Sequence, residues 1–323
     1  MTGIDHPETF HGLPVHTLAE PDDQHAPPLP PADSVAWRLD CLWNEDNPFP
    51  ELWDRFLASV DSTQVRALVL GPWWHDEYSP LRPVLDLILA DADRFPALRA
   101  LFVADVMSEE CEVSWLEMTD VTPCLEAFPL LEELTVRGCG DAVSEQDVLS
   151  LRPVRHDALK VLRFESGGLP GSVVRAVGAS TLPALERLEL WLGVTHYGGD
   201  ATVADLAPLL SGGAFPRLRH LGLQNSEIQD EIAVAVASAP VVAQLDSLAL
   251  SMGTLSGAGA EALLGGQPLT HLRDLDLHHH YIQEPIQQRL RKVLEPHGVR
   301  LNLDQADYWD PEDDEPRYVA VDE

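Results

Sequence analysis

Lysine is nearly absent from this sequence, because Lys160 and Lys292 are its only copies among 323 residues. Lysine and arginine together number 21, against 53 aspartates and glutamates, and the formal net charge is −32. Such an excess of negative charge repels the phosphates of nucleic acids and the anionic surfaces of membranes. Neither class of partner is therefore expected, and a solubilising acidic surface is the simplest role for the charge.

Cysteine is also scarce and follows no metal-binding spacing. The four cysteines contain no C-x-x-C pair; they are Cys41, Cys111, Cys124 and Cys139. No apolar run reaches the ~18 residues that a membrane-spanning helix needs. The N-terminus carries acids and histidines where a signal peptide has a basic stretch before an apolar run. Reduced thiols and a cytoplasmic location are the resulting predictions.

The sequence contains none of the common short catalytic or nucleotide-binding motifs. G-x-S-x-G, H-E-x-x-H, the P-loop and G-x-G-x-x-G are all missing. We therefore predict a protein with no catalysis of its own and no cofactor.

A leucine pattern recurs along the chain. LRHLGLQNSEI, LDSLALSMGTL and LRDLDLHHHYI begin at Leu218, Leu245 and Leu272, which are 27 residues apart, and each reads L-x-x-L-x-L. Nine copies can be traced; the others begin at Val65, Leu98, Leu131, Leu159, Leu185 and Gly298. A fixed period of this size is typical of leucine-rich repeats.

Amphipathic segments lie between the leucine patterns. In one of them, Ile286, Leu290, Val293 and Leu294 follow the spacing of one helix face. Each unit is thus predicted to be a strand, a turn, a helix and a return, and such units stack parallel strands. The leucines at positions 1, 4 and 6 of each copy are expected to point into a core that neighbouring repeats share. Because helices are wider than strands, we predict an α/β leucine-rich-repeat solenoid, a horseshoe with a concave parallel β-sheet and convex α-helices.

The chain ends differ from the repeats. Residues 1–33 are proline-rich and predict an N-terminal arm, although Phe10–Leu18 could add a strand or pack on the first repeat. The repeat domain is predicted at 34–305, with an aromatic-rich N-terminal cap at 34–64. Residues 306–323 form an acidic tail, which could be solvated or could fold back over the last strand.

The repeats resemble leucine-rich repeats of the ribonuclease-inhibitor-like type, most clearly in LSGAGAEALL after Leu250. Nearly the whole chain also resembles a family of actinobacterial single-domain leucine-rich-repeat proteins; the matching segments are HGLPV, ECEVSWLEMTDVTPCLEAFP, LERLELWLG, YGGDATVADLAP, LQNSEIQDEIA, LDSLALSMG and LTHLRDLDLHHHY. The resemblance does not indicate which ligand the chain binds. It implies that the chain could be an accessory subunit of a peptide or natural-product modification pathway. The usual asparagine at repeat position 9 is replaced throughout, which puts the turn geometry in doubt.

Positions 3, 5 and 7 of each copy fall on one face of the sheet, because side chains alternate along a strand. In the first two copies these residues are small or apolar, whereas later copies mix charges with tryptophan. We predict that this face binds a protein or peptide through residues typical of binding hot spots. The predicted set is Arg163, Glu165, Arg187, Glu189, Trp191, His220, Gln224, Asp276 and His278. The alternative is a ladder of cross-strand salt bridges, with Trp191 partly covered by Tyr197.

A histidine-rich segment offers a second hypothesis. Asp276 and His278 lie two residues apart on one strand, followed by His279 and His280. Imidazole and carboxylate are ordinary zinc ligands, so a metal-dependent hydrolase is the enzymatic alternative. His279 and His280 fall in the turn, however, and one of them is expected to fill the position-9 slot. The primary prediction is therefore no metal.

Overall fold

A strand begins at position 3 of each of the nine predicted copies. The structure, a computed structural model, describes residues 4–18, 28–41, 49–74, 79–140, 148–307 and 316–322. Within these ranges twelve strands form one open sheet in sequence order. They are β1 Thr9–Phe10, β2 Leu13–Thr17, β3 Ala36–Leu39, β4 Ala67–Leu70, β5 Ala100–Val103, β6 Glu133–Arg137, β7 Val161–Glu165, β8 Arg187–Gly193, β9 His220–Ser226, β10 Ser247–Ala249, β11 Asp274–Asp276 and β12 Arg300–Asn302.

Helices alternate with the strands from β3 onwards. The predicted amphipathic segments are helical in the structure, and one helix follows most strands of the described chain. The helices are α1 Phe49–Ser59, α2 Arg82–Ala90, α3 Thr122–Ala127, α4 Gly171–Ala179, α5 Val203–Leu210, α6 Gln229–Val236, α7 Gly257–Gly265 and α8 Glu284–Leu294. The α/β architecture of repeated strand–helix units is thereby confirmed. No helix of the described residues is long and apolar enough to cross a membrane.

The register of the sheet aligns equal positions of successive repeats. Only β1 and β2 pair antiparallel, while all later neighbours pair in parallel. His220 pairs with Ser247, and Ser247 with Asp274, all at position 3. Leucines at position 4 are buried against the helices, as Leu134, Leu188 and Leu221 show. Each buried leucine stabilises the fold by about 1.5–3 kcal/mol, so stacked copies together can offset the ordering of the chain.

The N-terminal region extends the sheet. In the predicted cap at 34–64, Trp37, Trp53 and Phe56 are fully buried. The predicted arm is not separate from the sheet, however, because β2 pairs in parallel with β3, as the alternative for Phe10–Leu18 allowed. This pairing satisfies backbone groups that the edge of β3 would otherwise expose. The proline-rich part of the arm, 19–27, lies outside the described residues.

The end of the acidic tail lies across the turns that follow the strands. Residues 308–315 lie outside the described part. Residues 316–322, here called the C-terminal strap, contact the end of β9 and the turns after β7, β10 and β11. The strap therefore packs against the repeats at this edge of the sheet. Its path is determined by the burial of Val319 and Val321, by the contacts of the Val321 backbone with Asn225 and by the hydrogen bond from Ala320 N to the Met252 oxygen.

Candidate binding face of the sheet

The apolar first part of the candidate face is covered by the N-terminal segment. Phe10 packs with small and apolar side chains of β3–β5, including Val69 and Phe102. Beyond them, His11 Nδ1 lies 2.9 Å from Glu133 Oε2, and His6 contacts Asp105 at 3.0 Å. The uncovered remainder of the face lies on β7–β12, and we call it the polar face.

A continuous set of ion pairs crosses neighbouring strands of the sheet towards the polar face. Arg38 Nε donates to Asp105 Oδ2 at 2.9 Å, and Arg137 pairs with Glu165 at 2.8 Å. Arg163 Nε then lies 3.0 Å from Glu165 Oε1 and 2.7 Å from Glu189 Oε2. We call these pairs the ion ladder. The alternative predicted from the sequence, cross-strand salt bridges, is therefore present.

Trp191 is buried, although its position predicted an exposed ring. Only 7% of its surface is accessible. The Arg163 guanidinium lies over the ring, 5.6 Å from its centroid, and shields it from solvent. Trp191 therefore contributes a wall of the site and not a protruding contact.

A cleft of about 410 Å³ lies on the polar face and gathers most of the predicted residues. Of the nine, only Glu165 is missing from its lining, because Glu165 is buried between Arg137 and Arg163. We call this cleft the polar pocket. Its lining is Arg163, Arg187, Glu189, Trp191, His220, Gln224, Ser247, Leu248, Ala249, Met252, Asp274, Asp276, His278 and Arg300.

Glu189 and His220 lie at the centre of this lining. His220 Nε2 is 3.1 Å from Glu189 Oε1, and His220 Nδ1 is 2.7 Å from Ser247 Oγ. Burial by itself would raise the pKa of Glu189, but the contact with His220 and the charges of Arg163 and Arg187 outweigh it and lower the pKa to about 2. Glu189 is therefore a permanent anion at neutral pH.

The histidines of the DLDLHHHY segment point to separate partners. His278 Nδ1 lies 2.9 Å from Asp276 Oδ1. His279 Nε2 instead lies 3.1 Å from the Tyr318 carbonyl oxygen. His280 is buried at position 9, where its Nε2 lies 3.1 Å from the Leu303 oxygen and its Nδ1 accepts from Ile282 N at 3.0 Å. Burial lowers the pKa of His280 to about 4, so this histidine is neutral and structural.

The same segment offers no shared metal site. Within the described ranges no group of three or more histidine, cysteine, aspartate or glutamate side chains could hold a metal ion. Asp276 is close enough to His278 for a hydrogen bond, and burial, which would raise its pKa, is outweighed by this contact, so the pKa is lowered.

Gly222 lies on the same face of β9 as Gln224, which lines the pocket. Gly222 leaves no free space, because a Cβ there would lie 2.5 Å from Gln224 Oε1. The Gln224 carboxamide is held in place by its Nε2, which donates to Ser251 Oγ at 2.9 Å. The room in the pocket therefore comes from Ser247 and Ala249.

Six lining residues were not among the predicted site residues: Ser247, Leu248, Ala249, Met252, Asp274 and Arg300. Three of them have polar side chains at equal repeat positions. Ser247 and Asp274 occupy position 3 of their repeats, and the register places them beside His220. Arg300 holds the same position in the last, partial copy, and its Nη2 donates to Asp274 Oδ2 at 2.8 Å. The repeat register was the signal that could have found all three.

The C-terminal strap supports the turns that border the pocket. Asn225 donates through Nδ2 to the Val321 oxygen, and its Oδ1 accepts from Val321 N at 3.0 Å. Ala320 N donates to the Met252 oxygen at 2.8 Å, and Met252 lines the pocket. Asn225 and Met252 both adopt positive φ, at 54° and 66°. The strap thus holds in place two residues whose backbone conformation is of higher energy, one at the end of β9 and one in the turn after β10.

A comparison with solved structures supports the fold. The chain is similar to a protein from Bacteroides fragilis whose crystal structure is known, with 28% sequence identity and a TM-score of 0.73. The similarity covers 84% of this chain and 73% of the other. No protein-family profile and no curated protein matches the chain. The comparison therefore supports a repeat-like α/β architecture and brings no ligand or activity with it.

Proposed function

We propose that the chain is a leucine-rich-repeat scaffold that binds a protein or peptide through the polar face. In this proposal the repeats are of the ribonuclease-inhibitor-like type and the sheet is the concave side of a horseshoe. The observation that carries the proposal is the polar pocket: eight of the nine residues predicted from the repeat pattern line one cleft on the uncovered half of the sheet.

The charge of the site supports a partner with mixed polarity. Among the lining residues three arginines face Glu189, Asp274 and Asp276, so their formal charges cancel with the histidines neutral. The chain as a whole carries −32. A nearly neutral site within an acidic surface disfavours nucleic acid and suits a peptide surface that offers both donors and acceptors.

Rigidity of the site is the second argument. Arg163 is held by Glu165 and Glu189, and Gln224 by Ser251. Side chains that are already ordered lose little conformational entropy when a partner binds. A larger part of the free energy of its contacts is therefore available for binding the partner.

An accessory role in a modification pathway remains a more specific version of this proposal, and the identity of the captured partner tests it. The metal-dependent hydrolase alternative gains no support from the site, because Asp276 and His278 pair with each other and the neighbouring histidines face elsewhere.

The test is a pull-down from an extract of the source organism. Exchange of Arg187 and Arg300 to alanine removes two exposed guanidiniums of the pocket while the ion ladder between Arg137 and Glu189 stays intact. We expect at least a tenfold loss of the captured partner, because an interfacial hot-spot arginine contributes about 2 kcal/mol or more.

The matched control exchanges Arg155 and Arg273, two exposed arginines that pair with Asp157 and Asp246 away from the pocket. The control should capture the partner as the unaltered chain does. Equal capture by both double variants would contradict binding at the polar face.

A further inference from the structure

Three side chains on three neighbouring strands form a chain of close polar contacts in the polar pocket. Glu189 on β8 lies 3.1 Å from His220 Nε2, and His220 Nδ1 lies 2.7 Å from Ser247 Oγ on β10. A hydroxyl within reach of an imidazole that is itself oriented by a carboxylate is the arrangement that activates a serine nucleophile. The order of residues along the chain is irrelevant to this chemistry.

We propose that Ser247 is a nucleophile for acyl transfer, with His220 as its general base and Glu189 as the residue that positions His220. This activity goes beyond partner binding. It also contradicts the expectation that the chain has no catalysis of its own.

Glu189 has the properties that a positioning carboxylate needs. It is 97% buried, and Arg163 and Arg187 keep it ionised. A carboxylate has about four lone-pair sites, so contacts with two arginines leave room for an imidazole N–H. An anion beside Nε2 favours the tautomer protonated there, which leaves the lone pair of Nδ1 facing Ser247.

The contact between His220 Nε2 and Glu189 is close but not aligned as a hydrogen bond. Contacts of this kind in ligand-free sites often become shorter and straighter when the substrate binds. The shorter contact, between His220 Nδ1 and Ser247 Oγ, is the one through which the proton must move.

The pocket determines which acyl groups fit. Its volume of about 410 Å³ suits a small substrate, and Trp191, Ala249 and Met252 provide apolar surface beside Ser247. In the same row of the sheet, Arg187 and Arg300 each lie two strands from Ser247, about 10 Å apart along the sheet, which is within reach of an arginine side chain. In the free protein these guanidiniums pair with Glu189 and Asp274. In this proposal they turn towards the oxyanion, because backbone N–H groups in a paired strand are already engaged. The substrate class is an ester of a short apolar acid.

The reaction balances without any further cofactor. Ser247 Oγ bonds to the acyl carbon while its proton passes to His220 Nδ1. The tetrahedral intermediate expels the alcohol as the C–O bond breaks, and His220 returns the proton to the alcohol oxygen. A water then gives a proton to His220 Nδ1 while its oxygen bonds to the acyl carbon. The bond between the acyl carbon and Ser247 Oγ breaks, His220 returns the proton to Ser247 Oγ, and the acid leaves.

The test uses an alkyl fluorophosphonate probe on the full chain. Ser247 Oγ would bond to phosphorus, fluoride would leave, and His220 would take the proton. We expect one label per chain, mapped to Ser247 by mass spectrometry, and no label in Ser247→Ala. His220→Asn should label at least 100-fold more slowly, because general-base catalysis contributes about 10²–10⁴-fold. Ser211→Ala is the matched control, since Ser211 is exposed at the end of α5 and lies outside the pocket lining, and it should label normally.

Absence of label at Ser247 in the folded chain overturns the proposal. Equal labelling of His220→Asn also overturns it, because His220 then does not activate the serine. Neither result affects partner capture, which the arginine exchanges test independently. A chain that loses capture on those exchanges but never labels is a binding protein alone.

Discussion

At the scale of single residues, ion pairing determines which charged side chains are available to a partner. Arg163 contacts two carboxylates and covers Trp191. Among the described residues, Arg187 forms an ion pair with Glu189 and is about half exposed, and Arg300 contacts Asp274 at the surface. Removing Arg163 would take one cationic partner from each of two buried carboxylates and uncover the Trp191 ring, which destabilises the fold itself. Arg187 and Arg300 are therefore better probes of binding than Arg163 or Trp191.

Gly193, the last residue of β8, is a position where only glycine fits. Its φ is +70°, and a Cβ there would lie 1.9 Å from the Gly167 carbonyl oxygen. We expect Gly193→Ala to lower the free energy of unfolding by about 3 kcal/mol or more, because both the backbone conformation and the contact are unfavourable to alanine. Urea denaturation followed by circular dichroism measures this change.

Gly265 provides the matched control for this substitution. It is the last residue of α7, and a Cβ there meets nothing within 4 Å. Gly265→Ala should leave stability unchanged or raise it by up to about 1 kcal/mol. Equal losses in both variants would show that the crowding at Gly193 is not the cause.

His6 ties the N-terminal segment to the turn after β5. Hydrogen bonds with Asp105 and Glu110 raise the pKa of His6 to about 9, against an opposing effect of partial burial. Protonated His6 stabilises the fold by its full amount below pH 6.5. This stabilisation is lost as the pH rises through about 9, where His6 of the folded chain loses its proton. Because His6 is partly exposed, we expect its contribution to the free energy of unfolding to fall by about 1–2 kcal/mol between pH 6.5 and 9.5.

The measurement compares urea unfolding of the unaltered chain and of His6→Asn at both pH values. The difference between the two proteins should shrink on going to pH 9.5, because deprotonated His6 no longer pairs with Asp105. Exchange of the exposed His297, which contacts only the Val293 oxygen among the described residues, should show no such trend. A constant difference across pH would mean that His6 stabilises the fold without its charge.

At the scale of secondary-structure elements, the two chain ends have different roles. At the N-terminal end, β1 and β2 extend the sheet, and Phe10 covers the face of β3–β5. The C-terminal strap instead crosses the end of β9 and the turns after β7, β10 and β11. Between them they leave the polar face on β7–β12 uncovered. The position of the pocket is thus determined by what the ends cover as well as by the repeats.

Asn225 is the residue on which the strap depends most. It is fully buried and contacts Val321 through both side-chain polar atoms. We expect Asn225→Ala to cost about 2–4 kcal/mol, since it leaves buried backbone groups without partners. Hydrogen exchange at Ala320 and Val321 should become faster, while amides in β4 and β5 keep their protection.

A surface variant separates this effect from a general loss of stability. Gln288→Ala removes an exposed contact with Glu284 in α8 and should leave exchange in the strap unchanged. Unaltered protection of Val321 in Asn225→Ala would contradict the role given to this side chain.

At the scale of the whole molecule, the repeat period predicted the order and the register of the strands well. The leucine spacing reflects contacts between adjacent repeats, which are close in the sequence. A local sequence pattern therefore predicts those contacts. The features that sequence reasoning missed depend on distant contacts: His11 meets Glu133 across 122 positions, and Asn225 meets Val321 across 96. The burial of Trp191 and the contact of His220 with Ser247 likewise depend on side-chain conformations that alternation does not specify.

The sequential order of the strands has a consequence for synthesis. Each strand from β4 to β12 pairs with a strand already made, 26 to 33 residues earlier, so the sheet can grow as the chain leaves the ribosome. The strap cannot dock until the last residues emerge, because its partners lie on β7–β11. We therefore expect nascent chains stalled after β6 to resist protease over β2–β5, and protease sensitivity there would contradict stepwise growth. In this view the sheet grows from its N-terminal end during translation. The strap docks on the turns beside the pocket only once all the repeats are in place.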